Sequence, residues 1–305
     1  MITVFTPCYN RAYTLRRLFE SLQAQGSTDF EWLIVDDGST DRTDELCGGF
    51  VKDANFPVRY MRQENSGKHV AINRGAAEAR GEWFFIVDSD DFLPPDSIET
   101  NEHYLAQIET DPGFAGVSGV RARPDGSWLL GQGLSLEDMS SRVRELFSLE
   151  YVDATSQEYR SKLKMPGDRA EIVRTELVRK YSFPSFEGER FVSEYYLWQS
   201  NSEEGLKLRW FNKPTYCGDY LDDGLTTNVR TVFLKSPLGR SFIDNFTIGS
   251  HAPLSMKIRS AVNYMRYGRL GGKAIPMLLR QANNKPLALL GLPVAVVLPL
   301  KGDVE

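Results

Sequence analysis

Five apolar residues in succession, Trp83 to Val87, run straight into Asp88, Asp90 and Asp91 in the stretch WFFIVDSDDFLPP. Such a run reads as a strand buried on both faces of a sheet. In open parallel sheets, ligands collect beyond the carboxyl ends of the strands, which is where these acids fall. Alternation along extended chain would send Asp88 and Asp90 to the same side. Two hard oxygen donors there can share a divalent cation. A plainer reading assigns Asp91 or Asp96 to the cap of the helix that Pro94 and Pro95 announce. That accounts for one carboxylate and leaves the others.

The chain before this strand alternates between the two periodicities. Residues 2–6 read as a strand stopped by Pro7, and Leu15, Leu18, Phe19 and Leu22 mark a helix face that ends at Gly26. EWLIVDDGST is a second buried strand running into acids, VRYMRQEN a third strand, and His69 to Arg80 a helix rich in small residues. Alternation sustained over about 90 residues implies right-handed βαβ units and a parallel sheet. A helix with Ile98, Leu105 and Ile108 on one face follows. Beyond it FAGVSGVRA reads as a strand, PDGS as a turn, and SLEDMSSRVRELFSL as a helix with a Ser cap. DRAEIVRTELVRKY has apolar positions at Ala170, Val173, Leu177 and Tyr181, a helical spacing. LKLRWF is then a strand, and PTYCGDYLDDGLTTN a Gly- and Asp-rich loop. GxGxxG and GxxxxGK[ST] phosphate loops are absent.

With 305 residues, the chain accommodates one large domain or a domain with an appendage. Cys8, Cys47 and Cys217 are odd in number and form no CxxC pair, which points to a reducing compartment. A strand beginning at residue 2 leaves no room for a signal peptide, and no apolar run reaches the roughly 18 residues that span a bilayer. The expected location is therefore cytoplasmic. Charge divides the chain unevenly. Between Asp244 and Asp303 there is no acid but eight basic residues, so the remainder carries −13 against −5 for the whole.

Three signals stand in order: TPCYNRAYTLRRLFESL, WLIVDDGSTD and GEWFFIVDSDD. Together they resemble the family-2 inverting glycosyltransferases with the GT-A fold, over about the first 110 residues. The resemblance implies an α/β, Rossmann-like architecture: a mixed, mostly parallel sheet flanked by helices, with a C-terminal helical extension. It also implies a nucleotide-sugar donor, commonly a UDP-sugar. By likeness, residues 1–112 form the nucleotide-binding half, 113–235 the acceptor-binding half, and 236–305 the extension. Thr6, Pro7 and Tyr9 match the strand end that lines the nucleoside pocket, and Asp37 the residue that holds base or ribose. Asp88 and Asp90 match the DxD pair. Asp90 is the better candidate for ligating Mn²⁺ or Mg²⁺, and Asp88 for ribose or bridging contacts as well as metal. The share of Asp91 is open, and Asp36 has the simple reading of a turn cap. Lys68, after a Gly-containing turn, is a candidate phosphate or donor contact, or an ordinary exposed lysine.

Inverting transfer needs a base for the acceptor hydroxyl. In FEGERFVSEYYLWQ a continuous helix would place Glu194 with Phe191 and Trp198 on an apolar face, a setting that suits a proton acceptor. Relatives carry an acidic pair where this chain has Ser193-Glu194. An ion pair with Arg190, four residues earlier, is the structural alternative. Glu187 and Glu189 are fallback candidates, and Asp219, Asp222 and Asp223 candidates for acceptor binding. Processive relatives carry QxxRW; here Leu206 precedes Arg209-Trp210, which favours single-residue transfer. The tail pairs a basic amphipathic helix (Ile258, Val262, Met265) with the fourteen-residue apolar run LALLGLPVAVVLPL, interrupted by Pro293 and Pro299. It reads either as in-plane attachment of residues 257–301 to an anionic membrane surface or as a helix and strand packed on the body. Attachment would place the protein on the inner face of the cell membrane and suit a glycan or polyprenyl-linked acceptor. Nucleic acid is not an expected partner.

Rival readings are a DxD phosphatase, a non-catalytic sugar-nucleotide or glycan-binding module, and a nucleotidylyltransferase. Asp91-Phe92 does not continue the phosphatase signature and VDDGS has no place in it. Loss of catalysis would not call for three retained acids, and the Gly-rich, Arg-containing loop of nucleotidylyltransferases is missing.

Overall fold

The computed structural model describes residues 1–131, 134–219, 229–297 and 300. Its residues group into two compact units. The first comprises Met1–Asn65, Ala71–Ser182 and Glu204–Asp219.

Eight strands make one sheet in this unit: β1 (Ile2–Cys8), β2 (Phe30–Asp36), β3 (Val58–Arg62), β4 (Trp83–Ile86), β5 (Phe114–Ala122), β6 (Tyr151–Ala154), β7 (Arg169–Arg174) and β8 (Lys207–Cys217). The spatial order is β3-β2-β1-β4-β7-β5-β8-β6. The first four are mutually parallel. β7 runs antiparallel to both β4 and β5, β8 parallel to β5, and β6 antiparallel to β8. The mixed α/β sheet expected from the sequence is the one observed. Helices α1 (Leu15–Gln23), α2 (Thr43–Asp53), α3 (Lys68–Glu78), α4 (Ser97–Ala106), α5 (Ser141–Ser148) and α6 (Thr175–Lys180) connect the strands.

The sheet forms where the sequence is apolar on both sides. All four residues of β4 are buried, with Phe84 stacked on Phe5 of β1 at 4.9 Å. The α1 face of Leu15, Leu18, Phe19 and Leu22 is at most 4% exposed, and Phe19 stacks on Phe50 of α2 at 4.3 Å. Burying four such side chains contributes roughly 6–12 kcal/mol of gross transfer free energy.

Two expectations are corrected here. The segment at 169–181 is not one helix: Arg169–Arg174 is β7, and only Thr175–Lys180 is helical. Ala170, Ile172 and Val173 lie at most 1% exposed between β4 and β5, so burial on both faces overrode the helical spacing. Extended chain also does not continue through Asp90. β4 ends at Ile86, the Val87 N–H still donates to Phe5 O, and then Asp91 N–H donates back to Asp88 O at 3.1 Å. Residues 88–91 are therefore a turn, and strand alternation does not govern where Asp88 and Asp90 point.

The second unit gathers Ser66–Val70, Phe183–Glu203 and the described residues from 229 onward. Its helices are α7 (Tyr195–Glu203), α8 (Val229–Lys235), α9 (Pro237–Gly249), α10 (Leu254–Leu270), α11 (Ile275–Gln281) and α12 (Lys285–Val297). Ile248, Ala261, Tyr264, Met265, Leu278 and the alanines of α12 form its core. The basic amphipathic helix expected in the tail is α10. Of the expected apolar stripe, Met265 is buried and Ile258 exposed. The apolar run that follows is helical through Pro293 instead of broken there. That proline is exposed, so the carbonyl left without a backbone donor can be hydrated. Among the described residues, no helix is long and apolar enough to cross a membrane.

Candidate active site

The carboxyl ends of β1, β2 and β4 meet at one edge of the sheet in the first unit. β1 runs through Pro7 to Cys8 instead of stopping at the proline, and all seven of its residues are buried. The Thr6 hydroxyl accepts from Trp32 Nε1 at 2.9 Å inside the core. Tyr9, just beyond, is 44% exposed. Asn10 adopts a left-handed conformation (φ 53°) that suits its short polar side chain. Its N–H donates to Ser39 Oγ at 2.8 Å, and its Oδ1 accepts from Thr40 N–H at 2.8 Å. Asn10 thus fastens the loop after β1 to the Gly-Ser-Thr turn after β2, a role the sequence reading did not assign.

The two acids of that turn have different partners. Asp36 is fully buried, accepting from Ser39 N–H at 2.8 Å and from the Tyr60 hydroxyl at 2.7 Å. It is the turn cap. Asp37 accepts from Gln63 Nε2 at 2.8 Å and receives cross-strand support where its N–H donates to Cys8 O.

In the turn after β4, Asp88 and Asp90 are half-buried, whereas Asp91 is only 7% exposed. Arg17 of α1 donates to the Asp90 carbonyl and lies 4.8 Å over the Phe92 ring. Asp91 points inward. The Tyr216 hydroxyl donates to its Oδ2 at 2.6 Å and accepts from the Asp88 N–H at 3.0 Å. Arg121 stands 3.8 Å from the same carboxylate and 4.0 Å over the Tyr216 ring. Burial, and then the charge of Asp88, pushes the Asp91 carboxyl up to about 7. Burial likewise holds the Tyr216 phenol well above its ordinary value, so its proton stays available to bridge. Asp91, Tyr216 and Arg121 therefore anchor the turn from within, while Asp88 and Asp90 are half-buried, with the Asp88 charge acting on both Asp91 and Arg121. Neither Tyr216 nor Arg121 was singled out in the sequence. The pairing is long-range, and its only local trace is a tyrosine closing β8.

Two part-exposed carboxylates on one short turn are a donor set suited to Mn²⁺ or Mg²⁺, provided phosphate oxygens and water complete the sphere. Among the described residues, no group of three or more His, Cys, Asp or Glu side chains could hold a metal by itself.

Lys68 and Glu194 come together in the second unit, Nζ to Oε1 2.7 Å. The loop before Lys68 passes so close to Arg190 that a Cβ on Gly67 (φ +97°) would lie 2.1 Å from the Arg190 carbonyl oxygen. Only glycine fits there. The expected apolar helix face around Glu194 is not formed, because α7 begins at Tyr195 and Phe191 lies outside it. Ser193 Oγ accepts from Tyr195 N–H, and the helix starts one residue after the glutamate. The ion pair is made with Lys68, not with Arg190. Glu189 is committed elsewhere: its two oxygens accept from Leu238 and Gly239 N–H at 2.7 Å each, capping α9. Glu187 and Asp219 are exposed, while Asp222 and Asp223 lie outside the described residues. Arg209 makes a two-pronged bond to Asp153, and Trp210 stacks on Tyr159 at 3.9 Å. Both serve the sheet edge.

The family model described as glycosyl transferase family 2 matches residues 3–141. Glycosyltransferase GlyG of Streptococcus pneumoniae is 38% identical over 112 residues, covering 36% of this chain and 37% of that protein. GlyA of the same organism is 34% identical over 110 residues, covering 36% of this chain and 16% of its own length. The match thus spans well under two thirds of these relatives. In fold, the chain is similar to Staphylococcus aureus TarS 1–349 in complex with UDP-GlcNAc (TM-score 0.62, 16% identity, 96% of this chain and 84% of that one). It is also similar to the mannosyltransferase PcManGT of Pyrobaculum calidifontis in complex with GDP-Man and Mn²⁺ (TM-score 0.56, 18% identity, 98% and 76%).

Proposed function

We propose that this protein, whose residues 3–141 match the glycosyl transferase family 2 model, is an inverting, divalent-metal-dependent glycosyltransferase. It moves a single sugar from a UDP-sugar to a hydroxyl of a glycan or polyprenyl-linked acceptor, on the cytoplasmic side of a membrane. The observation that carries the reading is the turn after β4, which holds two half-buried carboxylates beside a third that is tied inward to Tyr216.

In such a transfer the acceptor oxygen bonds to the anomeric carbon as the bond to the diphosphate oxygen breaks, and the electron pair leaves on the phosphate. Asp90, with Asp88, would hold Mn²⁺ or Mg²⁺; when bound, the cation offsets the charge that builds on the diphosphate. Asp37 and the end of β1 with Tyr9 receive the nucleoside, and Asp88 also contacts the ribose. Glu194 takes the acceptor proton. Lys68, whose ammonium meets that carboxylate, orients it and is the candidate contact for a donor phosphate. Residues 1–112 supply donor contacts and 113–235 acceptor contacts.

A thermal-shift panel of UDP- and GDP-sugars, with Mn²⁺ or chelator, tests the donor, because a ligand that binds the native state raises its melting temperature. Asp90→Asn should abolish the metal-dependent shift. Glu194→Gln should keep the shift and lose transfer by about a hundredfold or more, the usual contribution of a general base. Equal loss of donor binding in both variants would refute the assigned roles.

A further inference from the structure

α12 is built inside out. Its small residues Ala288, Gly291 and Ala295 are the buried ones, and a Cβ on Gly291 would lie 2.5 Å from the Ala261 carbonyl oxygen of α10. Leu287 and Leu292 pack partly against the core, but Leu289, Leu290, Val294, Val296 and Val297 face away from it and are 39–75% exposed. Residues 290, 294 and 297 form one stripe and 289, 293 and 296 the next, so the exposed surface is continuous along the helix. α10 adds Leu254 and Ile258, one turn apart, and Met277 of α11 is also exposed. A helix stable in water turns its leucines inward. A contiguous apolar face of this size marks a surface that something covers.

Charge identifies what covers it. The interval from 245 to 302 has no acid, and Arg259, Arg280 and Lys285 are exposed on the same three helices. The occupant is therefore apolar at depth and anionic at its surface, which is the layering of an anionic lipid leaflet. A second copy meeting this face with its own would set the exposed basic residues of these three helices against one another. We propose that α10–α12 dock in the plane of an anionic bilayer, with the leucine and valine face of α12 entering the acyl boundary and the basic side chains at the headgroups. At about 1.5 Å per residue, the 13-residue α12 reaches about 20 Å, short of the roughly 30 Å hydrocarbon core. It lies on the membrane without crossing it.

The test is co-sedimentation of the full chain with phosphatidylcholine vesicles, with and without phosphatidylglycerol, at low and high salt. Binding is expected to the anionic vesicles and to weaken at high salt. Leu290→Ser with Val297→Ser should lower that binding about tenfold or more, with circular dichroism and UDP binding unchanged. Both sites are exposed, so the variant should fold. Equal sedimentation with neutral and anionic vesicles would overturn the proposal, as would unchanged binding by the variant. A dimer that the variant dissociates, without vesicle binding by either protein, would assign the face to a second copy instead. Because UDP binding is read separately, failure here leaves the proposed transfer reaction standing.

Discussion

Replacing Tyr216 by Phe isolates the one hydroxyl that ties the acidic turn to the sheet. The ring is kept, so its edge contact with Phe85 (centroids 6.1 Å apart) and the Arg121 guanidinium at 4.0 Å both survive. Lost are the 2.6 Å bond to Asp91 and the 3.0 Å bond from the Asp88 N–H, at a position with no solvent exposure where water could substitute. A hydrogen bond to a charged group is worth about 1.5–3 kcal/mol, and a buried group left unpaired costs about 1–3 kcal/mol. Both bonds share one oxygen, so the figures do not add, and the expected destabilisation is about 3 kcal/mol. With a urea slope of about 3 kcal/mol/M for a chain of this size, the unfolding midpoint should fall by about 1 M. Releasing the Asp88 backbone should also loosen the turn that carries Asp88 and Asp90, lowering UDP affinity in Mn²⁺ about tenfold. A midpoint within about 0.2 M of wild type, together with unchanged UDP affinity, would refute the reasoning.

Lys68→Met removes the ammonium 2.7 Å from Glu194; the pair is 22% and 28% exposed, so stability should change by less than about 1 kcal/mol while turnover falls about tenfold or more. Unchanged turnover would remove the pair from the reaction. Burial pushes the Cys47 thiol up to about 12 and the Cys8 thiol well above its ordinary value. Because the thiolate is the reactive form, both should resist iodoacetamide at about pH 8 in the native protein and react once it is denatured; rapid native labelling of either, read by mass spectrometry, would contradict this. Gly75→Ala would set a Cβ 2.1 Å from the fully buried Phe5 ring, so thermal unfolding should show a loss of about 1–3 kcal/mol.

Much of the first unit was readable because its signals are local. A buried strand declares itself by an apolar run, unbroken in β4 and at Trp32–Val35 of β2, and interrupted in β1 and β5 mainly by small or β-branched residues. The α1 face is equally plain from Leu15, Leu18, Phe19 and Leu22. β7 was not readable in this way, since Ala170, Val173, Leu177 and Tyr181 satisfy a helical period although Ile172 and Val173 are buried side by side. What placed them in a sheet is the neighbouring strands β4 and β5. The acids after β4 stand out in the sequence, but the tie of Asp91 to Tyr216 does not, because Tyr216 lies far along the chain. Glu194 was singled out on an argument that fails, a helical face extended past the first residue of α7. Its Lys68 partner comes from a loop far earlier in sequence. In the tail, composition revealed the basic, apolar character, whereas the burial of alanines in place of leucines is a property of packing alone.

The central claim is that Asp88 and Asp90, on the turn anchored by the buried Asp91–Tyr216 pair, bind a nucleoside diphosphate through a divalent cation. Titration calorimetry of UDP into the pure protein tests it most directly. Binding in Mn²⁺ or Mg²⁺ that weakens at least about tenfold in chelator, and is lost in Asp90→Asn, is the expected result. UDP affinity that is the same with and without metal, or that survives Asp90→Asn, would contradict it.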